Sequence, residues 1–574
     1  MTTTSAKTIV ARPDLHFAPV PNGVYVSGPR GRFVLSGSEL LYAVTEGCMP
    51  LLESGATEDE LVAAIGTEKS RPAVRHLIAK MREGGMLLDP ALFTVPAPGT
   101  ELRERFPEAL ARLESALDDP YAAFARLRAA RVLLAGPPEA TGPAARGLRR
   151  AGAYEVIETA SLAAYEAAHE AAHQGDPEAA QEAAYEGLDA VAEMTTGVTQ
   201  HPAAVPDGVP LLTVALGGRV ALTGPALTGG GRDLVWAAFR DRALAWAKAE
   251  ASEPASRPVA DALAGALAGQ LLFDTLTGTA EPGTAHVVYG ADLATDPVDI
   301  GGALHPAAAP GRPSTLDEAP AQPMPDAEEA LEAVGAVARR WTGLFTSAAG
   351  EDLPQMPLAL RATEQRAGQS GALVGWAAHQ ETATVAAALA ALRARSPRPG
   401  TPAAGLTEEH WLLDGALRIL AGDPALEQEP EAPTDAEGAR ILAGLLAAGR
   451  DPEVVALRLP GLDWRLARVT LGGVPLGRGW GATPEEAVRT ALCTALARVQ
   501  ASGFGSVAEL STDALLFADS TVLGRLRKQL TARAGTGYRG RAVRTDPVLG
   551  PLPLWHGPVE AVTATPPQEA PDAG

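Results

Sequence analysis

Residues 14–89 alternate short apolar runs with turn-forming residues. "DLHFAPV", "GVYVSG" and "GRFVLSG" read as three short strands separated by Pro-Asn-Gly and Gly-Pro-Arg-Gly turns. Ser38 then opens one helix as an N-cap, and Thr57 opens a second with Glu60 at the capping-box position. The third, "RPAVRHLIAKMREGG", starts with Pro72 in its first turn and stops at Gly84-Gly85. Its Val74, Leu77, Ile78 and Met81 recur at helical spacing and give one apolar face. Residues 101–130 read as connecting helix. "RVLLAGPPEATGPAARGLRRAG" comes next as strand, glycine turn and a helix from about Gly142, and "YEVIET" supplies a second strand, so a βαβ unit opens here. Residues 209–246 hold two further apolar strands, a Gly-Pro turn and a helix. Residues 326–363 combine a helix, a Thr-Gly turn and an extended stretch. Then comes a repeat: "GWAAHQETATVAAALAALRA" (375–394) returns as "GWGATPEEAVRTALCTALAR" (479–498) at an ungapped offset of 104 residues.

Composition narrows the class. A chain of 574 residues, 46% hydrophobic and 20% charged, has material for several domains with sizeable cores. Its Gly and Pro counts of 60 and 48, with abundant Ala, look like a high-GC coding bias, so alanine-rich helices say less than usual. A net charge of −21 repels nucleic acid and anionic membranes as general partners. Cys48 and Cys493 are the two cysteines; they build neither a four-thiolate zinc site nor a disulfide framework. The ten histidines are scattered, and no GxSxG, HExxH or P-loop string occurs. "MTTTSAKTIVARPDLHF" has no basic region followed by an apolar stretch, and no run reaches the length of a membrane span. The expectation is a reduced, cytoplasmic, soluble protein. Acid–base pairs in "DWRLARV" and "FRDRALAW" read as surface pairs.

Three strands followed by three helices resemble the PqqD-like peptide-recognition element of pathways that modify ribosomal peptides. In that family a leader peptide adds a strand to the third strand and lies against the third helix. The resemblance places the edge on Arg32, Phe33, Val34 and Leu35, with Arg30 beside it. The flanking helix contributes Arg71, Val74, Arg75, Leu77, Ile78, Met81 and Arg82. Between Arg71 and Arg82 this helix carries basic residues and no acid, which suggests a local basic groove for an acidic leader. A winged-helix packing module with solvated arginines is the plainer reading of the same residues.

The middle region resembles the ThiF-like, ubiquitin-activating-enzyme-like fold of cyclodehydratase partners. That family places a cysteine pair at a helix following a Gly-Pro segment, and a second pair after a later His-Pro. Here the helix begins Asp233-Leu234-Val235-Trp236 and the later segment is "LHPAAAP" (304–310), so the zinc ligands are missing. Pro137 and Pro138 remove two backbone donors at the turn where a phosphate loop needs them, and "GPPEATG" misses the GxGxxG spacing.

The repeat and the segment before it resemble a YcaO-type domain, from the ATP-dependent family that activates backbone amides. Its active members carry acids at helical spacing that hold magnesium and ATP phosphates. On this chain those positions fall on Ala390 and Arg393 in the first copy, with Ala394 after them, and on Thr494 in the second. Glu381 and Glu485 remain at the helix starts, where a carboxylate also serves as a first-turn dipole partner.

The expected fold class is therefore α/β multidomain. Residues 1–98 form a winged-helix-like α+β recognition element and 99–128 a helical connector. Residues 129–312 form a ThiF-like, Rossmann-type domain without zinc or nucleotide site, and 313–562 a degenerate YcaO-like α/β domain. The tail 563–574 is expected to be disordered, and the acidic stretch 423–438 to be a loop or linker. The resemblance implies a subunit that binds the leader of a ribosomally made precursor and presents it to a separate YcaO cyclodehydratase, activating it to form azolines from Cys, Ser or Thr. Thiazole- and oxazole-modified peptides, thiopeptides among them, are the products of such systems. No catalytic residue, cofactor or metal is expected. The partners are the leader peptide and the YcaO enzyme, with no nucleic acid and no membrane, and a homodimer is open to such a scaffold. The alternative is that the chain is itself the ATP-dependent cyclodehydratase, with divergent Mg-ATP ligands.

Overall fold

A computed structural model describes residues 8–37, 40–172, 183–196, 205–250, 253–303, 313–346, 349–364, 371–447, 449–533 and 536–563. Ser38, the "LHPAAAP" segment and residues 564–574 lie outside the described residues. The architecture is mixed α/β, and the chain divides into two compact units: residues 1–233 with 253–297, and residues 234–252 with 298–574.

The first unit opens with β1 (His16–Val20), β2 (Gly23–Gly28) and β3 (Gly31–Ser36), an antiparallel sheet in the order β1-β2-β3. Three helices come after it: α1 (Leu40–Ser54), α2 (Glu58–Ile65) and α3 (Arg71–Glu83). Thr57 and Glu60 form the expected reciprocal capping box on α2, and Pro72 sits in the first turn of α3. Val24, Val26 and Leu35 from the sheet pack with Leu61, Val74, Leu77 and Met81 from the helices into one core. Arg12, almost fully buried, ties this module to the connecting helices. It donates to Gly85 O at 2.9 Å and Leu117 O at 2.5 Å, and pairs with Asp118 at 2.8 Å.

The connector is helical throughout its core: α4 (Thr100–Arg105), α5 (Pro107–Ala116) and α6 (Pro120–Ala129). Beyond it run β4 (Arg131–Ala135), α7 (Pro138–Ala151), β5 (Glu155–Thr159), α8 (Leu162–Ala172), β6 (Ala190–Thr196), β7 (Leu211–Leu216) and β8 (Val220–Leu227). Helices α9 (Arg232–Ala249) and α10 (Val259–Thr277) precede β9 (Thr284–Tyr289) and β10 (Ala294–Asp299). The seven strands form one sheet in the order β10-β9-β8-β7-β6-β4-β5, with β4 parallel to both β5 and β6. Helix α7 starts earlier than the expected Gly142 because Pro138 is accepted in a first turn, where its missing N–H would be unpaired anyway.

Among the described residues α10 alone is long and apolar enough to cross a membrane, and 56% of that stretch is buried. Its apolarity is spent on packing: a Cβ at Gly265 would lie 2.0 Å from Ala140 O, and one at Gly269 2.9 Å from Ala144 Cα, so α10 lies directly on α7. From Leu234 onward α9 belongs to the second unit. Arg242, read from sequence as half of a surface pair, instead makes a bidentate, nearly buried bridge to Asp546 at 2.8 Å.

In the second unit α11 (Ala327–Val337) precedes a hairpin, β11 (Ala359–Glu364) and β12 (Ala372–Ala377), that feeds α12 (Gln380–Arg395). Then come β13 (Thr401–Gly405), α13 (Glu408–Leu420), α14 (Ala436–Ala447) and β14 (Pro452–Arg458). A second hairpin, β15 (Arg465–Leu471) and β16 (Val474–Gly481), feeds α15 (Pro484–Gln500). The chain ends in α16 (Ser520–Thr531), β17 (Thr536–Gly540), β18 (Val543–Asp546) and β19 (Gly550–Thr563). Strands β14, β15 and β16 form the middle of one five-stranded sheet, and β17, β19 and β13 belong to another. The stretch 423–438 is more ordered than its composition suggests, since Glu427–Gln428 pairs with β14 and α14 begins at Ala436.

The sequence repeat is thus a repeat of hairpin-then-helix. In each copy the glycine of Gly-Trp lies against the helix that comes after it. A Cβ on Gly375 would sit 2.1 Å from Ala387 N, and one on Gly479 2.6 Å from Ala491 N. Glycine on the strand and alanine on the helix are both required for so close an approach. The adjoining tryptophan turns to the opposite face, where Trp480 is fully buried and its Nε1 donates to Leu417 O at 2.9 Å. Gly375→Ala and Gly479→Ala should each destabilise the chain by about 1–3 kcal/mol through overpacking. Gly444→Ala, on an exposed turn of α14 with open space around it, should stabilise by about 0.5–1 kcal/mol. Thermal denaturation of the three variants checks both signs.

Candidate functional site

The third strand of the N-terminal sheet is an edge. Gly37 N–H donates to Asn22 O at 2.7 Å, which sets the phase of the β2–β3 ladder. Phe33 and Leu35 turn their backbone groups toward β2, so Arg32, Val34 and Ser36 turn theirs outward. Val34 is 54% exposed, and Phe33 packs its ring on Gly84 at the end of α3. A strand edge and a helix end therefore border one open rim.

The side chains named from sequence divide sharply. Leu35, Val74, Leu77, Ile78 and Met81 are buried in the module's own core, so they shape the rim from beneath and do not reach a ligand directly. The basic groove is also corrected. Arg71 is bound by Glu58, Asp59 and Glu68 at 3.0, 2.7 and 2.5 Å, and Arg75 shares Glu58 at 2.7 Å. Lys80 pairs with Glu83, and Arg30 with Asp118 at 2.6 Å. Apart from Glu83, which closes α3 itself, the acids come from α2, the turn after it and the connector, which a reading of α3 alone does not include. Among the described residues Arg32 and Arg82 remain exposed without an acidic partner.

The two repeat helices carry the second constellation. Glu381 and Glu485 sit in the first turns of α12 and α15, as dipole partners would. Ala390 and Arg393 line a crevice of about 20 Å³, room for roughly one water. The Arg393 guanidinium turns inward and pairs with Asp414 at 3.0 Å and Asp513 at 3.6 Å. Asp414 is fully buried and also accepts from Arg418 at 2.8 Å, Thr512 Oγ1 at 2.5 Å and Ala404 N at 2.9 Å. Burial alone would raise its pKa, but Arg393, Arg418 and these hydrogen bonds outweigh it and hold the carboxyl well below its usual range. Thr494 is buried and its hydroxyl donates back to Thr490 O of the same helix at 2.8 Å. Sequence reasoning misses this network; the i,i+4 pair Asp414–Arg418 within the otherwise apolar run from Trp411 to Leu420 is its visible trace.

Beside this lies a cavity of about 280 Å³ lined by Trp376, Ala386, Glu437, Glu486, Arg489 and Cys493. Burial and the neighbouring Glu437 push the Cys493 thiol up to about 12, so it stays protonated and is a poor nucleophile. Among the described residues no group of three or more His, Cys, Asp or Glu is placed to hold a metal ion.

In the seven-stranded sheet, β4 leads to β5 on one side while β6 lies on the other, which makes the β4/β6 crevice the topological switch point. Gly136 there has φ 148°, and a Cβ would lie 2.4 Å from Met194 O. Glu193, opposite Ala135, is 8% exposed, and its Oε2 has no hydrogen-bond partner. Burial, then Asp233 and Glu166, push its pKa up to about 7. A phosphate-binding crevice offers donors and positive potential; Pro137, Pro138 and these acids offer neither.

No protein-family model and no curated protein matches the chain. Among solved structures, a heterocyclase in complex with substrate and cofactor is similar over 97% of this chain and 94% of its own, at 12% identity and a TM-score of 0.57. The chain shares that fold along almost its whole length. MccB of E. coli, solved with AMPCPP and MccA, matches 51% of this chain and 96% of its own at 11% identity. Its TM-score of 0.33 is too low to support a structural argument.

Two measurements test the electrostatics. Arg393→Met leaves the buried Asp414 with Arg418 as its paired cation and removes the salt bridge of Asp513, and should cost about 3–5 kcal/mol of stability in the second unit. Glu193 has a raised folded pKa, so its ionised form is penalised above about pH 7 and the penalty vanishes as pH falls toward its ordinary value. Glu193→Gln should therefore raise the melting temperature clearly at pH 8 and little at pH 5.

Proposed function

We propose that this chain is a recognition and scaffold subunit that binds the leader of a ribosomally made precursor peptide. It presents that peptide to a separate YcaO-type cyclodehydratase, which forms azolines from Cys, Ser or Thr. The observation that carries this reading is Arg393. At a position where the resemblance requires a magnesium-binding acid, the chain has a cation tied to a buried aspartate, within a fold shared with a heterocyclase. The N-terminal module supports the peptide half, because β3 offers outward backbone groups at Arg32, Val34 and Ser36 and a peptide strand pairs with such an edge at little cost. The ThiF-like reading of the middle region and the PqqD-like reading of the first module belong to the same proposal. A second reading, the chain as its own ATP-dependent cyclodehydratase, is favoured by the cavity between α12 and α15 with its Glu437 and Glu486.

Fluorescence polarisation with peptides tiling the small open reading frames beside the gene tests the first reading. Val34→Pro deletes an outward-facing N–H that the hairpin itself does not use, so the sheet should survive and peptide affinity fall at least tenfold. Val34→Thr should bind as wild type. Equal binding by both variants refutes the edge as the site. Calorimetry of the whole chain with Mg-ATP should give no heat of binding; micromolar binding would establish the second reading instead.

A further inference from the structure

We propose that the groove beside the β2–β3 turn is a second peptide subsite, which takes an acidic flank of the peptide leaving β3 at its Gly31 end. This rests on the strand-edge reading and extends it. The groove has a cavity volume of about 960 Å³, and all of its walls belong to the first unit: the Pro29–Arg30 turn, α5, the end of α7 and α10. It is continuous with the edge, because Arg30 is at once the residue before β3 and part of the groove wall. The Arg30 side chain passes over Gly85, pairs with Asp118 at 2.6 Å and donates to Ala116 O at 2.6 Å, which fixes the module against α5. A strand paired to β3 that continues past Gly31 is delivered to this opening.

The chemistry of the walls selects the occupant. Arg112 lies over the Phe273 ring, its guanidinium carbon 5.6 Å from the centroid, and its Nη2 donates to Asp274 at 2.8 Å. Its Nε and Nη1 make no hydrogen bond to a described residue, and its side chain is half exposed. Arg150 is 78% exposed and only loosely paired with Glu108, at 3.6 Å. Gln270, held through its Nε2 by Asp274 at 3.0 Å, keeps its carbonyl oxygen for a backbone N–H. Guanidiniums with unused donors, one held by Asp274 and Phe273 and one exposed, match a carboxylate, while the amide matches a peptide main chain. In a chain of net charge −21, an acidic peptide would gain little from the surface at large. Asp14 and Glu108 line the groove beside Arg30, Arg112 and Arg150, so the unused guanidinium donors, and not a net positive charge, decide where its acids settle.

The test uses the whole chain and two fluorescein-labelled synthetic peptides from the precursor reading frame beside its gene. One covers only the strand-forming stretch; the other adds about six residues at the end that leaves past Gly31, acids included. Wild type should bind the long peptide about tenfold more tightly, and Arg150→Glu and Ala111→Trp should reduce the long peptide to the affinity of the short one without changing the latter. Arg150 is exposed, so its variant remains informative if Ala111→Trp fails to fold. Equal affinity of the two peptides for wild type, or an unchanged preference for the long one in Arg150→Glu, overturns the subsite while leaving the edge intact. Failure of wild type to bind either peptide overturns the strand-edge reading, and this inference with it.

Discussion

The second unit depends on one steric constraint, the seating of a helix backbone directly on a strand backbone. At Gly375 over Ala387 and at Gly479 over Ala491 no side chain separates the two layers. The contact explains why the motif is Gly-Trp in both copies. The glycine lets the helix down, while the tryptophan, one residue on and therefore on the other face, fills the opposite layer. Alanine density in α12 and α15 has the same geometric origin, so coding bias need not be its whole cause. On a later turn of α12, Arg393 faces Asp414 of α13 and Asp513 beside Thr512.

The ion network lies where these elements meet. A guanidinium at position 393 has no room to reach solvent, and it survives because Asp414 and Asp513 are already there. A buried charge with partners on only one side would be intolerable; here Arg393, Arg418, Thr512 and the Ala404 N–H surround one carboxylate. Exchange of Arg393 alone for a carboxylate would gather acids in a closed space. The present arrangement is therefore held by several residues together.

Much of this was legible in the chain. Short-range signals read well: the three strands of the first module, the Thr57–Glu60 cap, Pro72 and the alternation that opens the seven-stranded sheet are set by neighbours in sequence. The doubled helix was legible through its period, and the confinement of its acids to the first turns through simple inspection. The long-range partners escaped. Arg71, Arg75 and Arg30 looked free because Glu58, Glu68 and Asp118 lie on other elements. Val74, Leu77 and Met81 looked like a binding face because an apolar stripe does not say whether its cover is a guest or the protein's own sheet. Arg242 found Asp546 far along the chain, and Glu193 gave no local sign of being stranded. Periodicity locates an element; it does not name its neighbour across the core.

The open side of β3 has a cost while it is empty. An unpaired strand edge accepts any extended backbone, including the same edge of another copy, and is a standing invitation to self-association. Its short length and the exposed charge of Arg32 near its start act as gatekeepers against that outcome. The same rim that leaves backbone groups unpaired thus carries the charge that keeps copies of the chain apart.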